Sequence, residues 1–306
     1  MGLGHSHAPT HATASAAHRG RLVIALALTS TVMLVEVVGG LLSGSLALLA
    51  DAGHMATDAA GMAMALIAVT LAQRPPTTRR TFGLQRVEIL AAAVNALVLF
   101  GLAIYILIEA YRRFTEPPEI ASGLMLGVAV VGLLVNTVSL LLLRRGQRQS
   151  LNLRGAYLEV LGDLLGSVAV IIAAVVIAVT GLTAADPVAS VVVALMILPR
   201  AWALLREAGA ILLEATPKDV DLEEVRAHIL EMPGVIDVHD MHAWTITSGM
   251  PVLSAHVVVV DELAEGDHAP VLDGLADCLS DHFDVEHCTF QVEPSRHRDH
   301  ESTLHP

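Results

Sequence analysis

The sequence predicts a membrane α-helical protein: six transmembrane helices followed by a cytoplasmic α+β domain of the ferredoxin-like (αββαβ) kind. Three observations lead there. The 306-residue chain is 54% hydrophobic and only 16% charged, with a mean hydropathy of +0.62, values outside those of ordinary soluble domains. It contains apolar runs of roughly 20 residues, each long enough to cross ~30 Å of hydrocarbon. After Pro217 these runs stop, and short helical and alternating segments replace them.

The expected spans fall near Leu22–Leu46, Ala47–Ala72, Val87–Tyr111, Ser122–Leu143, Gly155–Gly181 and Asp186–Leu205. An even number of spans puts both termini on one side, and arginine tells which. Arg19 and Arg21, then Arg74, Arg79, Arg80 and Arg86, then Arg144, Arg145, Arg148 and Arg154 lie on the N-terminal side. The opposite loops carry Arg112 and Arg113 beside Glu109, Glu116 and Glu119. The positive-inside rule therefore predicts cytoplasmic termini and a multi-pass protein of the inner or plasma membrane. The first apolar stretch is too long for the core of a signal peptide.

Beyond Pro217, Asp219–Glu231 has helical periodicity with an acidic first turn. Val235–Thr247 and Pro251–Asp261 alternate like strands around a turn at Ser248-Gly249; Ala269–His282 is helical again, and Val285–Val292 reads as a last strand. A unit of ~75 residues is near the lower limit for burying its own core, so it gains from dimerising or binding metal. The expected division is a histidine-bearing tail over 1–20, a transmembrane domain over 21–206, the soluble domain over 207–293 and a second tail over 294–306. The tails hold His5, His7, His11 and His18, then His297, His300 and His305.

Composition also excludes. A net charge of −13 argues against nucleic-acid binding. Lys218 is the sole lysine, and no phosphate-binding loop is present, so an ATP-driven pump is not expected. Cys278 and Cys288 alone make no disulfide framework.

Ionisable residues inside the apolar spans are the sharpest feature. His54 and Asp58 form one i,i+4 pair; Glu159 and Asp163 form another. On a helix each pair shares a face one turn apart. Polar groups at membrane depth are costly unless paired or ligated, which favours a function over mere packing. One imidazole and three carboxylates around a point make a shell for a divalent transition metal, four ligands being zinc's preference. Asp51, about one turn before His54, is expected to support that residue or to meet an arriving ion first. Gly53, Ala56 and Gly61, with Gly155, Gly162 and Gly166, would let helices approach closely.

These residues lie in longer motifs. Glu36-Val37-Val38-Gly39-Gly40 through Asp51-Ala52-Gly53-His54-Met55 resembles the first two helices of the cation diffusion facilitator family, especially its zinc-transporter branch. Further similarity lies in Thr81-Phe82-Gly83-Leu84-Gln85-Arg86-Val87-Glu88, in the helices of Asn95 and Asn136, in Leu161–Ser167 and in Val238–Gly249. The resemblance implies a homodimeric secondary transporter, not an enzyme, that exports a divalent cation from the cytoplasm in exchange for protons. It maps the transport site onto His54, Asp58, Glu159 and Asp163, with Zn2+ as the leading substrate.

One position departs. Zinc-transporting relatives usually have histidine where Glu159 stands, and a harder, more negative set shifts preference toward manganese, iron or cobalt, with cadmium also an alternative. The loop with Arg79, Arg80 and Leu84 offers no metal ligands, and Arg144–Arg154 has no histidine. In the soluble domain the resemblance implies a regulatory metal near His239, His256, His287 and Glu293, with His242 and Cys288 nearby. Cys288 shares strand parity with Phe290 and Val292 and can equally face the core. By the same resemblance Arg86 and Glu214, with Glu88 beside them, are candidates for a charged lock. A membrane-tethered metal sensor that moves nothing is the alternative of another class; an intramembrane hydrolase lacks a zinc-protease signature.

Overall fold

The structure, a computed structural model, describes residues 11–144, 151–264, 266–283, 285 and 287–298. His5, His7, Arg145, Arg148, His300 and His305 lie outside the described residues. The elements run α1 (His11–Ser43), α2 (Leu46–Ala72), α3 (Arg86–Thr115), α4 (Ser122–Arg144), α5 (Leu151–Thr180), α6 (Ala185–Leu212), α7 (Leu222–Leu230), β1 (Val235–Thr245), β2 (Pro251–Val259), α8 (Asp261–Ala264), α9 (Ala269–Phe283), β3 (His287–Pro294) and α10 (Ser295–Arg298).

Helices α1 to α6 are each long and apolar enough to cross a membrane. The helix expected from Leu22 begins at His11, so the second half of the expected N-terminal tail is helical. Many large apolar side chains on these helices are exposed, among them Leu41, Leu66, Tyr111 and Val179. In water that would be a liability; in hydrocarbon such a surface carries no penalty. Two compact units emerge: one joins residues up to 63 with 94–203, the other 64–93 with the chain from 204.

In the first unit most of the buried side chains are small or branched. Ala47, Leu48, Met125, Ala129, Val170, Ala173 and Ala174 form one cluster; Ala50, Leu99, Ala103, Ile106, Val193, Ala194 and Ile197 form another. The start of α2 is fixed from a distance. Fully buried Asp186 accepts hydrogen bonds from Ser45 Oγ (2.5 Å), Leu46 N (2.9 Å) and Ala47 N (3.2 Å). A carboxylate at a helix N-terminus satisfies amides with no partner inside the helix and faces the positive end of its dipole. Arg113 Nη1, 3.4 Å from Asp186 Oδ2, balances the charge. This clamp sets the position of α2, which carries His54 and Asp58.

In the second unit the predicted αββαβ order appears, with α8 and α10 as added short turns. Asp221 caps α7 by accepting from Glu223 N and Glu224 N. The sheet order is β1-β2-β3, with β2 antiparallel to β1 and parallel to β3. One face packs on α7 and α9 through Val225, Ile229, Val238, Leu253, Ala255, Val257, Leu275 and Leu279. Gly249 turns the β1–β2 hairpin at φ 73°, in the left-handed region where glycine has no steric penalty.

Candidate functional site

Helices α2 and α5 bring the expected intramembrane residues toward one cavity system. His54 Nε2 lies 3.6 Å from Asp58 Oδ2, the pair being i,i+4 on α2, and both side chains are nearly buried. Thr57 Oγ1 donates to the carbonyl of His54 at 2.7 Å. His54 Nδ1 is buried with no hydrogen-bond partner. On α5, Glu159 is partly exposed and Asp163 is buried. Asp58, Glu159 and Asp163 line a cavity of about 580 Å³ together with Met33, Met55 and Met62. His54 and Glu159 line an adjoining cavity of about 190 Å³ with Asp51, Gly162 and Gly166. The four residues do not close to within 4.8 Å of one another; among the described residues that tightness is reached only in the second unit.

A residue that the sequence reading passed over sits among them. Arg200 of α6 lines both cavities, with Nη2 2.8 Å from Glu159 Oε1 and Nη1 3.4 Å from Asp58 Oδ2. It lies near the C-terminal end of a predicted span, where an arginine reads as a flanking charge. Its signal was Pro199 before it, inside α6, which marks a local irregularity rather than a helix end.

Behind the quartet lies a further polar layer. Glu36 of α1, Asp51 of α2, Asn136 and Ser139 of α4 and Ser167 of α5 are all buried. The glycines here act as cradles. A Cβ on Gly166 would meet Asp51 Oδ1 at 2.8 Å, and one on Gly132 would meet Glu36 Oε1 at 2.9 Å and Ser167 Oγ at 3.2 Å. Gly155 and Gly162 face open space, so close approach applies to Gly166 and not to them.

In the second unit β1 and β2 place His239 opposite His256 and His242 opposite Ser254. Between these pairs Asp240 and Met241 of β1 stand opposite the single residue Ala255 of β2: a bulge, with Asp240 at φ 47°. In a regular strand His239 and His242, three residues apart, would point to opposite faces. Glu293 of β3 is buried, with Oε1 3.3 Å from His239 Nε2 and Oε2 3.7 Å from His256 Nδ1. One ligand atom from each of His239, His256 and Glu293 lies within 4.8 Å of the others, a spacing one metal ion can bridge. His242 binds Asp240 at 2.8 Å, and His256 approaches Asp240 at 3.8 Å.

His287 is not part of this group. It sits at the far end of β3, six residues or roughly 20 Å from Glu293 at ~3.3 Å per residue, and packs edge-on against Phe82 with ring centroids 5.3 Å apart. His297, expected in a tail, instead reaches to 4.0 Å from Glu293. Cys288 packs with Phe290 and Val292 against the core, and burial pushes its thiol pKa up. Arg86 and Glu214 pair at 2.9 Å, both substantially exposed. Glu88 instead accepts from Thr247 Oγ1 at 2.7 Å.

Six apolar helices carrying ionisable ligand-type residues, followed by a small α+β domain with a histidine–glutamate cluster, define a class of membrane protein. The chain belongs to the cation efflux family: it matches that family's transmembrane domain over residues 22–213 and its cytoplasmic domain over residues 217–295. It is 50% identical to the metal cation efflux system protein CzcD of Cupriavidus metallidurans, over 96% of this chain and 90% of that one. It is 46% identical to the zinc transporter ZitB of Escherichia coli, over 96% and 93%. To a cadmium, cobalt and zinc/H(+)-K(+) antiporter of Bacillus velezensis it is 39% identical, over 99% and 95%. Among solved structures, the metal-bound C-terminal domain of the Cupriavidus CzcD transporter is 44% identical, covering 24% of this chain and 99% of that one, with a TM-score of 0.22.

Proposed function

We propose that this protein exports divalent transition-metal cations, Zn2+ foremost, from the cytoplasm across the membrane in exchange for protons. The observation that carries the reading is the convergence of His54, Asp58, Glu159 and Asp163 on cavities within the membrane-spanning unit. Imidazole and carboxylate together suit zinc, cobalt and cadmium, while the three carboxylates keep manganese and iron within range. The functions for which the relatives are named, metal cation efflux, zinc transport and cadmium, cobalt and zinc antiport, agree with that donor set.

Exchange follows from ligand chemistry. Carboxylates and imidazole must be free of protons to hold a metal, so the ion and protons compete for one site. When several groups bind one ion, the proton count of the exchange belongs to the cluster and not to any one residue. Asp51, on the smaller cavity beside His54, supports that residue or receives the ion next. A metal held by His239, His256 and Glu293 regulates a homodimer through the soluble domain, the Arg86–Glu214 pair acts as a charged lock, and both termini are cytoplasmic.

The test is uptake into proteoliposomes across zinc, cadmium, manganese, iron and cobalt, with and without an imposed pH gradient. Zinc should move, and the gradient should drive it uphill. Asp58→Ala and Asp163→Ala should each abolish flux at matched protein levels. Flux at the wild-type rate in either variant would remove that residue from the site.

A further inference from the structure

We propose that Arg200 is a tethered counter-cation of the transport site, occupying its carboxylates while the site is empty and displaced from them by the incoming divalent ion. The proposal rests on the transport-site reading above and adds a specificity-determining residue to it.

Geometry is the first argument. The guanidinium bridges two proposed ligands from different helices, Glu159 at 2.8 Å and Asp58 at 3.4 Å. It therefore stands where a metal would draw the same oxygens together. An arginine fork suits two carboxylates, and it carries its charge at any physiological pH.

Charge balance is the second. Ionised Asp58, Glu159 and Asp163 would place three negative charges in a low-dielectric bundle, at a high cost if uncompensated. In the empty site the guanidinium offsets one of these charges. A divalent ion that takes its place offsets two, whereas a monovalent ion offsets no more than the resident cation does, so Arg200 matches the site to a divalent substrate.

Room to move is the third. The Arg200 side chain is 45% exposed, against 11% for Asp58. It borders both cavities, so it can leave its partners without entering packed protein. Pro199, immediately before it, removes one backbone hydrogen bond of α6 and clashes with the preceding turn, giving the helix a compliant point there. A metal bound to Asp58 and Glu159 repels the guanidinium and uses the oxygens that held it. Arg200 then swings out, and its return helps to expel the ion on release.

The test uses the full-length protein in nanodiscs, titrated with zinc and cadmium and followed by calorimetry. The relevant binding phase is the one Asp58→Ala removes. Arg200→Gln should tighten that phase at least tenfold, and in proteoliposomes should lower KM and kcat together, because the ion no longer competes with a resident cation and leaves more slowly. Arg200→Lys should restore much of the turnover. A residue that merely props the helices would weaken binding instead. In the unmodified protein, zinc should speed the reaction of phenylglyoxal with Arg200, mapped by mass spectrometry, since binding frees the guanidinium. An unchanged or weaker phase in folded Arg200→Gln overturns the proposal, as does a zinc effect that is absent or protective. If no phase depends on Asp58, the transport-site reading falls and takes this proposal with it. Loss of that phase in Asp58→Ala with no change in Arg200→Gln refutes the counter-cation alone.

Discussion

At the scale of single residues, Glu159 is the member of the proposed donor set that Arg200 holds most closely. Glu159→His exchanges a hard oxygen for a softer nitrogen and frees Arg200 from its closer partner. Initial rates for each ion should then favour zinc over manganese and cobalt more strongly than in the wild type. Glu159→Ala leaves three ligands and should weaken binding strongly. If both variants keep the wild-type ion ranking and pH profile, Glu159 does not touch the metal. Cys288 offers a check away from the membrane. Its thiol is held above its ordinary pKa by burial, so less thiolate is present at a given pH. Iodoacetamide at pH 8 should modify Cys288 more slowly than the same residue in urea-unfolded protein; equal rates would place the thiol outside the core. The two ionisable pairs were legible in the sequence because such residues stand out in apolar runs. Arg200 was not, because an arginine near a span's end looks like a flanking charge, and only packing against α2 and α5 gives it partners.

At the scale of elements, hydropathy shows where helices are and says little about what their faces hold. Apolar runs of spanning length identified the six long helices, but they extended α1 too little, because polar and apolar residues alike can continue a helix that is already nucleated. Periodicity identified the αββαβ order, since burial on one face imposes a repeat of 3.6 or 2. It did not reveal the β1 bulge, which inserts one residue and aligns His239 with His242. A one-residue register change is invisible to an alternation pattern that tolerates gaps. The glycine cradles depend equally on pairing. Gly166→Ala would put a methyl 2.8 Å from Asp51 Oδ1 and should displace that carboxylate while leaving α5 helical, as alanine is the better helix former by ~1 kcal/mol. Transport should fall several-fold in proteoliposomes with thermal stability little changed. Gly162→Ala, facing open space, should be silent; equal losses in both would mean that helix flexibility and not the Asp51 contact is at stake.

At the scale of the whole molecule, two clusters of ligand-type residues with different chemistry occupy one chain. The quartet proposed as the transport site is rich in carboxylate and holds its own arginine. The soluble trio contains two imidazoles and one buried carboxylate already within 4.8 Å, a preformed arrangement that needs little reorganisation to bind. Glu293 is almost fully buried, with Oε1 lacking a hydrogen bond, and a bound cation would offset the cost of leaving a carboxylate there. Zinc should therefore stabilise the soluble domain by mass action, by RT ln(1 + [L]/Kd), or about 2.7 kcal/mol at a hundredfold excess over Kd. Light scattering of the full chain in detergent should report a dimer whose dissociation on dilution is slowed by zinc. His256→Ala with Glu293→Gln should abolish the zinc effect on both dimer lifetime and thermal stability while leaving Asp58-dependent binding intact. If the double variant still responds to zinc as the wild type does, the trio is a polar network of the sheet. If the double variant loses its zinc response but transports at the wild-type rate at every zinc concentration, the trio binds metal without governing export, and regulation must then be sought in the membrane-spanning unit.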